Sequence, residues 1–101
     1  MKQPDECANL DEVRAAIDRL DADIIAALGQ RMRYVQAASR FKPSQDSIAA
    51  PERVAAMLPA RRAWAERAGL DGGFVETLFT RIIHWYIEQQ THFWRRQRGL
   101  E

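Results

Sequence analysis

A chain of 101 residues that is 47% hydrophobic and 29% charged has room for a single folded domain, residues 1–101, and carries too much apolar side chain to be disordered. Fifteen basic against fourteen acidic residues leave a net charge of +1, which excludes a global field that would draw it to nucleic acid or to a membrane. One cysteine, Cys7, excludes an internal disulfide framework and a multi-cysteine metal site; the opening MKQPDECANLDEV lacks the apolar run of a signal peptide, no span of about 18 apolar residues is present, and the cytoplasm is the expected compartment.

The first predicted helix runs from Asn9 to about Phe41, with no proline and only Gly29 as a glycine. Val13, Ile17, Leu20, Ile24, Leu28 and Val35 recur at helical spacing along it. Asn9 is a good N-cap, Glu12 stands where a capping box needs it, and Asp11 and Glu12 suit the positive end of the helix dipole. Pro43 disfavours helical geometry in the residue before it, so the helix should end near Phe41 or Lys42. A rod of this length spans roughly 50 Å, whereas a compact chain of this size has a radius of gyration near about 13 Å. The rod overhangs its own core and leaves an apolar stripe wet. A partner chain is expected, with polar residues on the stripe available to a shared site.

Residues 43–50, PSQDSIAA, read as a loop. Pro51 suits the first turn of a second helix running to about Ala68, with Val54, Met57, Leu58 and Trp64 apolar and Pro59 expected to kink or break it. Gly69 is a helix stop and Asp71 the N-cap of a third helix, Gly72 to about Arg98. Phe74, Val75, Leu78, Phe79, Ile82, Ile83, Tyr86 and Ile87 are its expected inward residues. The fold class is all-α, with three helices.

Arg31 and Lys42 lie eleven residues apart. On a continuous helix they differ by only about 20° in direction, with Val35 and the small Ala38 between them. Gln90 continues the row Phe79, Ile83, Ile87 on the third helix, and a buried amide needs a partner. Arg53 opens the second helix, where a cation opposes the dipole. Arg14 is seventeen residues before Arg31, or roughly 25 Å along the same helix, so it cannot share a pocket with Arg31 in one chain. In an antiparallel pair of long helices it can reach the partner's. Several fixed cations, one amide and no nucleophile or base suit a small polyanion such as a dicarboxylate, which arginine grips bidentately. Chemistry there works by orientation and electrostatic stabilisation.

Spacing alone leaves plainer roles open. Arg31 and Lys42 can be solvated face residues, Gln90 can bridge subunits, Arg53 can pair with a nearby acid, and Arg14 can pair with Asp11 or Asp18. His84 and His92 have no metal-ligand spacing, and no metal site is expected. Trp85, Tyr86 and Trp94 read as core or interface, and the basic WRRQRG tail is too short to make a nucleic-acid binder of a balanced chain.

The ordered set Arg14, Arg31, Lys42, Arg53, Gln90, carried by VRAAIDRLDADIIAALGQRM, ASRFK, PERVAAML and FVETLFTRIIHWYIEQQ, closely resembles the all-helical chorismate mutase family from about residue 7 to 98. Within it, FKPSQDSIAAPERVAAML and IIHWYIEQQ are most similar to the isochorismate pyruvate lyases of salicylate-based siderophore pathways. The resemblance implies an intertwined homodimer with two sites, in which Arg14 of one chain joins Arg31, Lys42, Arg53 and Gln90 of the other. It implies isochorismate as substrate, salicylate and pyruvate as products, weak chorismate mutase side activity, and no cofactor. Lys42 and Gln90 are the expected catalytic pair, Arg14, Arg31 and Arg53 bind substrate, and Val35, Ala38, Met57, Ile83, Tyr86 and Ile87 are expected wall residues. One departure bears on activity. Mutases usually carry a glutamate directly after the arginine matching Arg53, to hold the ring hydroxyl of chorismate; here it is Val54, and Ala50 stands where an earlier acid is common. A dedicated chorismate mutase and a non-catalytic helical dimerisation module remain the alternatives.

Overall fold

Helical apolar periodicity, two prolines at turns and an aspartate cap divide the sequence into helices without strands. The computed structural model describes residues 1–101 as α1 (Leu10–Ala38), α2 (Pro51–Arg67) and α3 (Gly72–Gln97), with 3-10 turns at Pro4–Glu6, Ser39–Phe41 and Gln45–Ile48. The chain divides into two compact units, residues 1–34 and 35–101.

In the first unit, the start of α1 is capped from both directions. Asn9 Oδ1 accepts from the Glu12 amide at 2.9 Å, and the Glu12 carboxylate reaches back to accept from the Ala8 amide at 2.7 Å. The return bond falls one residue before the position a capping box uses. Lys2 Nζ lies 3.0 Å from Glu12 Oε1 and ties the N-terminal arm to the helix. The Ala8 amide, and after it Lys2, hold the Glu12 carboxyl below its ordinary value. No residue of α1 is buried. Ile17, Leu20, Ile24 and Ile25 stand exposed along it, Ile24 at 57%. Full burial of one such side chain is worth about 1.5–3 kcal/mol, so this stripe calls for a cover.

The second unit holds the core. α3 packs against α2 and against the turns Ser39–Phe41 and Gln45–Ile48. Asp71 caps α3 as expected, its carboxylate accepting from the Phe74 amide at 2.8 Å. Val75, Ile83, Tyr86, Gln90 and Trp94 are buried and fall within an arc of about 100°. Phe74 and Leu78, expected inward, are exposed, because they lie about 100° and 60° beyond that arc on one flank. Trp64 is likewise exposed. The Arg61 guanidinium sits 5.0 Å from its ring centroid, while small Ala65 takes the buried position one residue on.

Three features differ from expectation. α1 stops at Ala38, and the chain tightens into the turn Ser39–Phe41 before reaching Lys42. The Ser39 hydroxyl donates to the Gln36 carbonyl there, and the Lys42 amide closes the turn on Ser39 O at 3.2 Å. Residues 43–50 hold a 3-10 turn rather than a bare loop, with Ile48 3% exposed. Pro59 does not break α2. Pro59 and Ala55, whose carbonyl loses its bond, both face solvent. Met57 and Ala65 are buried on either side of it, so packing keeps both halves helical against a penalty of about 3 kcal/mol. Ala50 enters α2 at φ 40, a left-handed conformation that costs a residue with a Cβ about 1–3 kcal/mol.

Candidate active site

The polar residues picked out by spacing divide between the two units. In the first, Arg14 is exposed and Arg31 half-buried, both on α1. Helical rise separates them by roughly 25 Å, so the unbroken helix keeps them in different pockets of any one chain. Ion pairs engage Lys2, Arg19, Arg62, His92 and Arg95. Arg14 pairs with neither Asp11 nor Asp18, and Arg53 with no neighbouring acid.

In the second unit, α3 presents a continuous row. Ile83, Tyr86 and Gln90 are buried, Gln90 at 6% exposure, and Ile87 is half-buried at its edge. An amide in that setting supplies a directed donor and acceptor among apolar neighbours. Met57 is buried on α2, the helix packed against α3. Val35 is half-buried and Ala38 exposed. Arg53, in the first turn of α2, is exposed, and Val54 beside it is half-buried.

Lys42 follows the turn Ser39–Phe41 in extended geometry, φ −95 and ψ 116, as its place before Pro43 requires. Helical register therefore does not carry from Arg31 through to Lys42: the chain leaves α geometry at Ala38, and 3-10 turns rotate by about 120° per residue instead of about 100°. What brings Lys42 to α3 is a long-range bond, Trp94 Nε1 donating to the Lys42 carbonyl at 2.9 Å. Arg98 donates to the same oxygen at 3.3 Å, and Arg95 to Gln45 Oε1 at 2.9 Å. Lys42 Nζ donates to the Ser47 carbonyl at 3.2 Å. Trp94 is buried, in keeping with its reading as core or interface, but its bond to Lys42 and the parts played by Arg98 and Ile48 were not expected from the sequence. Only Trp94 carried a signal, since it continues the buried row one turn past Gln90.

The second unit offers a half-buried ammonium on a loop, a buried amide, apolar side chains and an exposed arginine on α2. Such groups can orient a flexible dianion and stabilise negative charge as it develops.

The model of the chorismate mutase type II family matches residues 13–91, a span that includes Arg14, Arg31, Lys42, Arg53 and Gln90. An isochorismate pyruvate lyase of Pseudomonas aeruginosa is 62% identical over 99 residues, 98% of each chain. The T-protein of Haemophilus influenzae is 33% identical over 85 residues, 83% of this chain but 22% of that protein.

Proposed function

The chain belongs to the chorismate mutase type II family, and on that footing we propose that it is an isochorismate pyruvate lyase, cleaving isochorismate to salicylate and pyruvate. The observation that carries the reading is identity of 62% with such a lyase over 98% of both chains. Val54 adds to it. An apolar side chain after Arg53 offers the chorismate hydroxyl no acceptor, and isochorismate, with its hydroxyl elsewhere on the ring, does not need one there. Weak conversion of chorismate to prephenate accompanies the main activity, because the same cations receive both substrates.

The step is pericyclic and draws on no cofactor. The C–O ether bond breaks as a ring hydrogen moves to the methylene of the enolpyruvyl group; the ring becomes aromatic and pyruvate leaves. The enzyme holds the side chain folded over the ring, and such preorganisation can supply about 7–11 kcal/mol of the barrier. Arg31 grips the enolpyruvyl carboxylate and Arg14 of a second copy the ring carboxylate. Arg53 adds a further cation. Lys42 and Gln90 meet the ether oxygen, where negative charge grows. Val35, Ala38, Met57, Ile83, Tyr86 and Ile87 form the walls.

The single domain works as a homodimer. The exposed apolar face of α1 supports this, as does the separation of Arg14 from Arg31 along one helix. The family match runs through both compact units, which supports reading them as one domain. No helix is long and apolar enough to cross a membrane, and we place the reaction in the cytoplasm, feeding a salicylate pathway such as siderophore assembly.

The family match also keeps a dedicated chorismate mutase as the second reading. The test is to give the purified protein isochorismate and chorismate separately, following salicylate fluorescence and prephenate. Rapid salicylate with slow prephenate is expected. Fast prephenate without salicylate would make it a mutase, and inactivity on both would leave a non-catalytic helical module.

A further inference from the structure

The main chain of Lys42 is held on both sides. Its amide donates to Ser39 O at 3.2 Å, and its carbonyl accepts from Trp94 Nε1 at 2.9 Å and from Arg98 at 3.3 Å. That carbonyl lies just past the end of a helical turn, where oxygens lack partners within the turn, so the fold answers it from 52 residues away. The Trp94 ring is 7% exposed, and the Arg98 guanidinium stacks on it at 4.0 Å from the centroid while donating to the Trp94 carbonyl at 3.3 Å. Arg95 extends the same grip to Gln45 Oε1. Buried tryptophans commonly find some acceptor for the indole N–H; here the acceptor belongs to the one residue whose ammonium the chemistry needs. With both backbone groups fixed, only the four-carbon side chain of Lys42 is left to swing.

We propose that Trp94, braced by Arg98, is the positioning residue for Lys42: the C-terminal turn of α3 fixes the point from which the ammonium reaches the ether oxygen. The proposal rests on the reading that Lys42 is the catalytic cation. Misplacement by about 1 Å can cost an enzyme about 100-fold in rate, so a main-chain anchor can act on turnover without touching substrate.

The test is a double-mutant cycle on the full-length protein, with Trp94→Phe and Arg98→Met each made in the native and the Lys42→Ala background. Trp94→Phe keeps most of the buried ring and removes the donor. In the native background it is expected to lower kcat for isochorismate about 10- to 100-fold, with KM changed less than about threefold. In the Lys42→Ala background the same change should alter kcat by less than about twofold, because the cation it positions is gone. Arg98→Met keeps an apolar chain over the ring and removes only a longer bond, so a smaller fall with the same background dependence is expected; it carries the test if Trp94→Phe does not fold. Equal falls in both backgrounds, or a change confined to KM or Tm, would overturn the proposal and leave Trp94 a packing residue. A near-native rate for Lys42→Ala alone would remove the Lys42 reading, and the proposal with it, whatever Trp94 does.

Discussion

The ammonium of Lys42 donates to the carbonyl of Ser47, 3.2 Å away and five residues along the chain. The bond closes the loop on itself and gives the cation a partner within its own unit. In the proposed reaction the ether oxygen replaces that carbonyl, so engaging substrate releases Ser47. Ile48, the neighbouring residue, is buried and keeps the turn seated while the side chain moves.

Removing the cation tests its role. One preorganised donor at a developing oxyanion is typically worth about 2.7–4 kcal/mol, so Lys42→Ala should lower kcat about 100- to 1,000-fold with the fold unchanged. Stopped-flow salicylate fluorescence measures it.

Substrate choice should follow position 54. Val54→Glu places an acceptor beside Arg53, and a hydrogen bond to a charged group is worth about 1.5–3 kcal/mol. We expect kcat/KM for chorismate to prephenate to rise about 10-fold or more while salicylate formation from isochorismate falls. Comparing the two rates on one preparation checks both directions.

The exposed face of α1 makes an assembly prediction. Sedimentation equilibrium should return twice the 11.6 kDa of one chain. Ile24→Asp, which puts a charge on that face, should shift the species to monomer and abolish turnover together. A monomeric native protein with full activity would refute a shared site.

Acid should loosen the start of α1. Glu12 is held below its ordinary value of 4.5 by the Ala8 amide and Lys2. A carboxyl whose folded value is depressed stabilises the fold above its unfolded value and loses that contribution as pH falls through the folded one. Native protein should therefore melt above Glu12→Gln at neutral pH, and the difference should shrink as pH falls below the ordinary carboxylate value of 4.5. The gap should be small, since the group is exposed and screened. Thermal melts of the pair across that range decide it.

What the sequence made legible was local. Apolar period, the Asn9 and Asp71 caps and the punctuation at Pro43 and Gly69 set the three helices to within a few residues. The burial of Gln90 followed from its spacing behind Ile83 and Ile87. What escaped was nonlocal or conformational. Carrying helical register from Arg31 to Lys42 assumed α geometry throughout, and the turn Ser39–Phe41 removes that assumption. The bond that anchors Lys42 joins residues 52 apart, which no periodicity reveals. Left-handed Ala50 has no sequence signal, since alanine gains nothing there. Phe74 and Leu78 are exposed although their apolar character points inward, because the buried arc of α3 is narrower than its apolar content.

The claim that one isochorismate lyase site is assembled from two copies has a direct test. Arg14→Ala and Lys42→Ala each disable every site of their own homodimer. Unfolded together in urea and refolded at equal concentration, the two should pair at random; half the dimers are then mixed, and each carries one intact site, restoring about a quarter of the native salicylate rate. A mixture no faster than the mean of its two parents would contradict the account.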